Sequence, residues 1–188
     1  MQIKYILVGE MHGTKECPEE FLKIIRKHKL NQASIEYPSK GIANDGRQSQ
    51  ANKKLIKELR KNKIKIFFIE GADEIMAKKL MKIKGKIAFL CGRVHARKKD
   101  LQLSKKSRYY KLYPKGLIKT CGSLLPKNET ISYKIHAING GTYYNFGIKK
   151  YPKNKTRHKT PVTIKSKNKA YDYIRIIDKF NYSPSETS

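Results

Sequence analysis

The sequence predicts an α/β fold: a parallel sheet of alternating β-α units in the N-terminal half, extended by antiparallel strands in the C-terminal half. Three observations predict it. Short apolar runs recur at residues 4–9 (KYILVG), 32–37 (QASIEY), 64–69 (IKIFFI) and 86–91 (KIAFLC), the pattern of strands buried on both faces. Between them lie segments whose apolar residues follow helical spacing. Beyond about residue 100 that spacing fades, and runs rich in tyrosine and isoleucine succeed one another.

Each element has a local reason. After the first run, Pro18 opens a helix with Glu19 and Glu20 in its first turn and Phe21, Leu22, Ile24 and Ile25 as its apolar stripe. Arg26, Lys27, His28 and Lys29 crowd its last turn, where positive charge complements the helix dipole. Pro38 closes the second strand, and a Gly- and Asn-containing loop leads to a helix over 48–62 through Leu55, Ile56 and Leu59. The third strand is followed by an amphipathic helix over 72–84. Strict alternation with short connections implies right-handed crossovers and helices on the sheet faces.

In the C-terminal half, strands are expected at 109–113, 131–138, 143–148 and 171–180, with Asn139-Gly140-Gly141 as a turn between two of them. Residues 149–169, rich in Lys and Pro, are expected to form a mobile basic loop, and 183–188 a disordered tail. The whole reads as one domain over 1–182, β-rich from about residue 105. A chain of 188 residues is long enough for one such core.

Composition bounds the function. No run approaches the roughly 18 apolar residues of a membrane helix, and the first apolar run is too short for a secretory signal, so a cytoplasmic location is expected. Cys17, Cys91 and Cys121 lie far apart with no CxxC pair, which argues against a disulfide framework and a thiolate zinc site. Cys91 sits inside an apolar run as a small buried hydrophobe. The net charge of +28 attracts polyanions. It is dominated by lysine spread along the chain, which also fits coding bias on a solvated surface.

The four early strands all finish on polar residues: Gly9-Glu10-Met11-His12-Gly13-Thr14, Glu36, Glu70, and Gly92-Arg93-Val94-His95. In a parallel sheet these ends share one edge, where ligands bind in open α/β folds. Glu10 and His12, two apart, project to one side of an extended chain. Two histidines with carboxylates can hold a divalent metal that activates water, with Glu10, His12 and His95 as the ligand set. Without a metal, a histidine oriented by a carboxylate serves as a general base. Glu10, His12, Glu36 and His95 are therefore the candidate catalytic residues, and Arg47 and Arg93 the candidates for binding substrate or an oxyanion. The structural alternative is that the glutamates cap or salt-bridge neighbouring helices and the histidines satisfy backbone groups. Glu70, beside Gly71 and Asp73, reads as part of a strand-to-helix turn.

Two G-x-x-H signatures, GEMH at 9–12 and GRVH at 92–95, resemble those of the erythromycin esterase/ChaN/Tiki superfamily. GEMHGTKECPEEF, Glu36 in SIEYP and the DGRQS segment at 45–49 look like its ChaN-like branch. The resemblance spans about residues 4–96. It implies an α/β fold with a mixed sheet, and relatives that include a macrolide-ring esterase, metal-dependent peptidases and a haem-binding lipoprotein. By motif position it implies His12 as the water-activating or metal-binding histidine, Glu10 and Glu36 as its carboxylate partners, His95 as second ligand or base, and Arg47 as the site arginine.

Three functions are compatible with these features. The first is a hydrolase acting on a small-molecule or peptide substrate, using the Glu/His cluster with a divalent metal such as zinc or manganese, or without one. The second is a haem or iron-binding protein, with His and Tyr109, Tyr110, Tyr113, Tyr143 or Tyr144 as ligands; amphipathic packing accounts for the same tyrosines. The third is a basic nucleic-acid-binding protein using lysine-aromatic segments such as SRYYKLYPK.

Overall fold

The computed structural model describes residues 2–37, 46–107, 109–144, 147–154 and 160–184. Pro38 and the loop to Asp45 lie outside them. The first half alternates as the apolar pattern requires: β1 (Tyr5–Glu10), α1 (Glu16–Lys27), β2 (Gln32–Glu36), α2 (Gln50–Lys61), β3 (Lys65–Ile69), α3 (Asp73–Met81) and β4 (Ile87–Gly92). The Ser49 hydroxyl caps α2 by accepting from Asn52 N at 3.3 Å. α3 stops at Met81, short of residue 84, because Ile83 N turns back to Leu80 O and Gly85 adopts positive φ.

The second half contributes β5 (Leu101–Gln102), β6 (Leu117–Ile118), the single-turn α4 (Cys121–Leu124), β7 (Thr130–Ala137), β8 (Asn139–Tyr144), β9 (Ile148–Lys153), β10 (Val162–Lys165) and β11 (Tyr173–Ile177). Seven strands form one sheet in the order β10-β11-β7-β1-β4-β2-β3. All its pairings are parallel except that of β10 with β11. The antiparallel extension is thus β10 and the separate β5–β6 and β8–β9 ribbons, whereas β7 and β11 run with the first four strands. α1 and α2 cover one face over Ile6, Val8, Ile35 and Leu90. α3 and α4 cover the other over Leu7, Phe89 and Cys91.

Several expectations for the second half are corrected. Residues 109–113 are not a strand: Tyr110–Leu112 and Pro114–Gly116 form 3₁₀ turns, and Gly116, lacking a side chain, receives the Tyr110 ring against its backbone. Asn139-Gly140-Gly141 is not a hairpin turn but the start of β8. Gly140 and Gly141 have φ of +72° and +126°, which lets β8 press on the backbone of Phe180: Thr142 N donates to Phe180 O, and Phe180 N to Gly140 O, both at 3.0 Å. The 149–169 segment contains β9, nearly all exposed and lysine-rich, and β10, a four-residue strand with no fully buried position; residues 155–159 of the segment lie outside the described ones.

The expected tail is corrected at its first two residues, 183 and 184; residues 185–188 lie outside the described ones. Ser183 is buried and its N–H donates to Gly13 O at 2.7 Å; Ala51 N donates to Ser183 Oγ at 3.0 Å and Gln50 N to Pro184 O at 2.9 Å. These bonds tie the turn after β1 to the first residues of α2. Removing the Ser183 hydroxyl leaves the half-buried Ala51 N–H without its acceptor, so Ser183→Ala should lower the unfolding free energy by about 1 kcal/mol, read as a shift in the urea midpoint at unchanged slope.

Candidate active site

β1 and β4 lie side by side with Glu10 opposite Gly92. After β1 the chain departs to the α1 face; after β4 it departs toward the α4 face. The two C-terminal ends therefore part and leave a crevice, the place where open α/β sheets bind ligands. Glu10 is 2% exposed and Glu36, at the end of β2, is 6% exposed, and carboxylates that deep require partners.

The partners are histidines, a backbone amide and an arginine. His12 Nδ1 donates to Glu10 Oε1 at 2.7 Å. His95 Nδ1 donates to Asp73 Oδ1 at 2.8 Å, and the same oxygen accepts from Cys121 N at 2.5 Å. A carboxylate only accepts, so each Nδ1 carries hydrogen and each Nε2 is left as the working nitrogen. Glu36 Oε2 accepts from Gly92 N at 2.8 Å, and its Oε1 lies 3.3 Å from Arg47 Nη1 and 3.9 Å from His95 Nε2. Arg47 Nη1 also lies 3.8 Å from Glu70 Oε1, which brings Glu70 to the edge of the cluster.

Gly92 is what lets the two imidazoles meet. A side chain on it would begin 3.0 Å from His12 Nε2 and 3.2 Å from His95 Cδ2, so both ring edges converge on the space that glycine leaves empty.

Charge follows geometry. Burial alone would lower the pKa of His12, but the hydrogen bond and charge of Glu10, with the charge of Glu36, raise it to about 9. Burial likewise opposes protonation of His95, and Asp73 and Glu36 override it; the His12 charge works against it. Burial would raise Glu36, yet His12, His95, the Gly92 amide and Arg47 hold it below the usual carboxylate range.

The structure thus gathers Glu10, His12, Glu36, Arg47 and His95 in one crevice. Arg93 does not join them: its Nη1 turns to Tyr151 Oη at 3.0 Å and Met11 Sδ at 3.2 Å. No family model, curated protein or solved structure matches the chain.

Among the described residues no group of three or more His, Cys, Asp or Glu side chains is arranged to hold a metal ion. Glu10 and Asp73 each accept an imidazole N–H, which leaves the Nε2 of His12 and of His95 as the free donors of the expected Glu10/His12/His95 set. Of the tyrosines considered as iron ligands, Tyr143 packs against Tyr151 and Tyr144 against Tyr182, while Tyr109 and Tyr113 are exposed. All three cysteine thiols are buried, and burial pushes their pKa values up, so they stay protonated.

Asp73 is the site residue that sequence reasoning missed. It stands at the start of α3, where an acid is usual for dipole reasons. Its only distinguishing signal is its place on the same sheet edge as the other strand-end residues.

The His12 shift has a stability consequence whose sign is fixed. The fold holds this proton up to about 9 whereas the ordinary value is 6.5. The stabilisation is fully present below the lower value and is lost as pH rises through the higher one. An NMR titration should place the His12 imidazole near 9, and Glu10→Gln should bring it down. The variant should also lose the part of the wild-type stability decline between about pH 6.5 and 9 that His12 causes.

Proposed function

We propose that the chain is a hydrolase whose water is activated by His95 and whose leaving group is protonated by His12. The reading is carried by one observation: two imidazoles, each fixed through Nδ1 by a buried carboxylate, turn their remaining edges toward one point over Gly92.

The assignment of roles follows from the surroundings of each ring. His12 keeps its proton to about 9, which makes it the acid at neutral pH. The pKa of His95 is raised as well, by Asp73 and Glu36, while the charge of His12 opposes its proton; His95, the ring beside Glu36 Oε1, is assigned as the base once that proton has left. The 3.9 Å between His95 Nε2 and Glu36 Oε1 is too long for a hydrogen bond and short enough for one water to touch both. A water there can pass a proton to His95 while Glu36 orients it. Asp73 holds the base in the correct tautomer and steadies the imidazolium that forms, as a carboxylate does for any general-base histidine. Arg47 holds Glu36 in place through its Nη1 at 3.3 Å. No step of this reading runs through a metal.

The test is a screen of carboxylic esters, peptides and phosphate esters with the full chain. Single His12→Ala and His95→Ala variants should each lose about 10²-fold or more of any activity found. Asp73→Asn should fall similarly in kcat with KM little changed. Gly92→Ala, which fills the convergence point, should abolish turnover while the chain stays folded by circular dichroism. Activity that survives both histidine substitutions undiminished contradicts the proposal.

A further inference from the structure

Several half-buried cations among the described residues are met by carboxylates, but three beside the active site are not. Lys98 binds Asp172 at 3.0 Å, Arg175 bonds Glu20, and Arg47 faces Glu36 and Glu70. Arg93, Arg97 and Lys134 are half-buried too, yet among the described residues none of them has a carboxylate partner within salt-bridge distance.

The three are held together by the fold. Lys134 sits on β7 opposite Gly9 of β1. The turn carrying residues 93–97 covers Gly9, since a side chain there would begin 3.1 Å from both Arg93 Cα and Ala96 Cβ. Ser132, two residues before Lys134, is hydrogen-bonded to Ala96 O in that same turn. The guanidinium groups lie against tyrosines, Arg93 5.6 Å from the Tyr151 ring centre and Arg97 6.0 Å from that of Tyr171. Tyr171 Oη donates to Arg93 O at 2.7 Å, and Tyr151 Oη bonds His136 Nδ1 at 2.8 Å. Arg97 Nε is buried with no hydrogen-bond partner. Mutual repulsion is felt: burial, then Arg93 and Arg97, lower the pKa of Lys134 to about 8, and burial, then Lys134 and Arg93, lower that of His136 to about 4.

A fold that keeps three uncompensated cations together in a half-buried place is suited to an anion that compensates them. Two guanidinium forks and an ammonium match a tetrahedral dianion better than a single carboxylate. The place is adjacent to the crevice: Arg93 follows Gly92, its N–H donates to Glu10 O at 3.1 Å, and its Nη1 touches Met11, the residue before His12. We infer that Arg93, Arg97 and Lys134 form a pocket for a phosphate monoester group carried by the substrate of the neighbouring Glu/His site. The word substrate rests on the hydrolase reading; the anion pocket does not.

The experiment is calorimetric titration of the full chain with inorganic phosphate at constant ionic strength. Saturable one-site binding is expected, unchanged in Lys57→Gln on the exposed face of α2 and weakened at least tenfold in Arg93→Gln and in Lys134→Met. A His12→Ala/His95→Ala double variant should bind phosphate like the wild type, so a failed hydrolase reading leaves this result standing. Melting curves with and without phosphate check each variant's fold and should show a phosphate-dependent rise only where the pocket is intact. Binding that does not saturate, or that Lys57→Gln weakens as much as Lys134→Met, overturns the pocket in favour of diffuse surface charge. Displacement by phenyl phosphate supports a monoester; displacement only by a single-stranded oligonucleotide overturns that choice of ligand.

Discussion

The parallel pairing of β1 with β4 is the constraint on which the site depends. Its register sets Glu10 against Gly92 and Gly9 against Cys91. A slip by one residue would exchange the two faces of β1, turning Glu10 from the crevice into the apolar layer beneath α3. With the register kept, a buried carboxylate and a residue without a side chain lie abreast. The first draws His12 inward and the second gives the ring somewhere to go. Six buried residues on each strand hold that alignment against the cost of burying Glu10.

The crevice balances its charges locally. Glu10, Glu36 and Asp73 face His12, His95 and Arg47, so the cluster is near neutrality when both rings are protonated, in a chain whose total is +28. The turn after β4 separates this balanced group from the unbalanced Arg93, Arg97 and Lys134 on its other side. One short stretch of backbone therefore carries the proposed base on one flank and uncompensated positive charge on the other. No described helix is long and apolar enough to cross a membrane.

The parts of this arrangement legible in the sequence are those encoded in short windows. Buried strands such as YILVGE and IAFLCG are continuous apolar runs, and their polar last residues mark the sheet edge without any knowledge of strand order. Asp73 was illegible because its role lies in a contact 22 residues away in sequence, with His95, while its local setting reads as ordinary helix-start chemistry. β9 was hidden because nearly all of it is exposed and lysine-rich, and β10 because it is a four-residue strand with no fully buried position. Gly140 and Gly141 read as a turn because the same positive φ serves a turn and a close backbone crossing. The sheet order, with β7 beside β1, has no local signature.

The bonds of Ser183 and Pro184 bear on how the molecule is made. β1 is synthesised before both of its neighbours in the sheet, β4 and β7, and the turn that carries His12 is fastened by the N–H of Ser183. The fastener therefore leaves the ribosome long after the strand it secures. Until then the N-terminal segment waits with its apolar edges open, and such non-local closure slows folding.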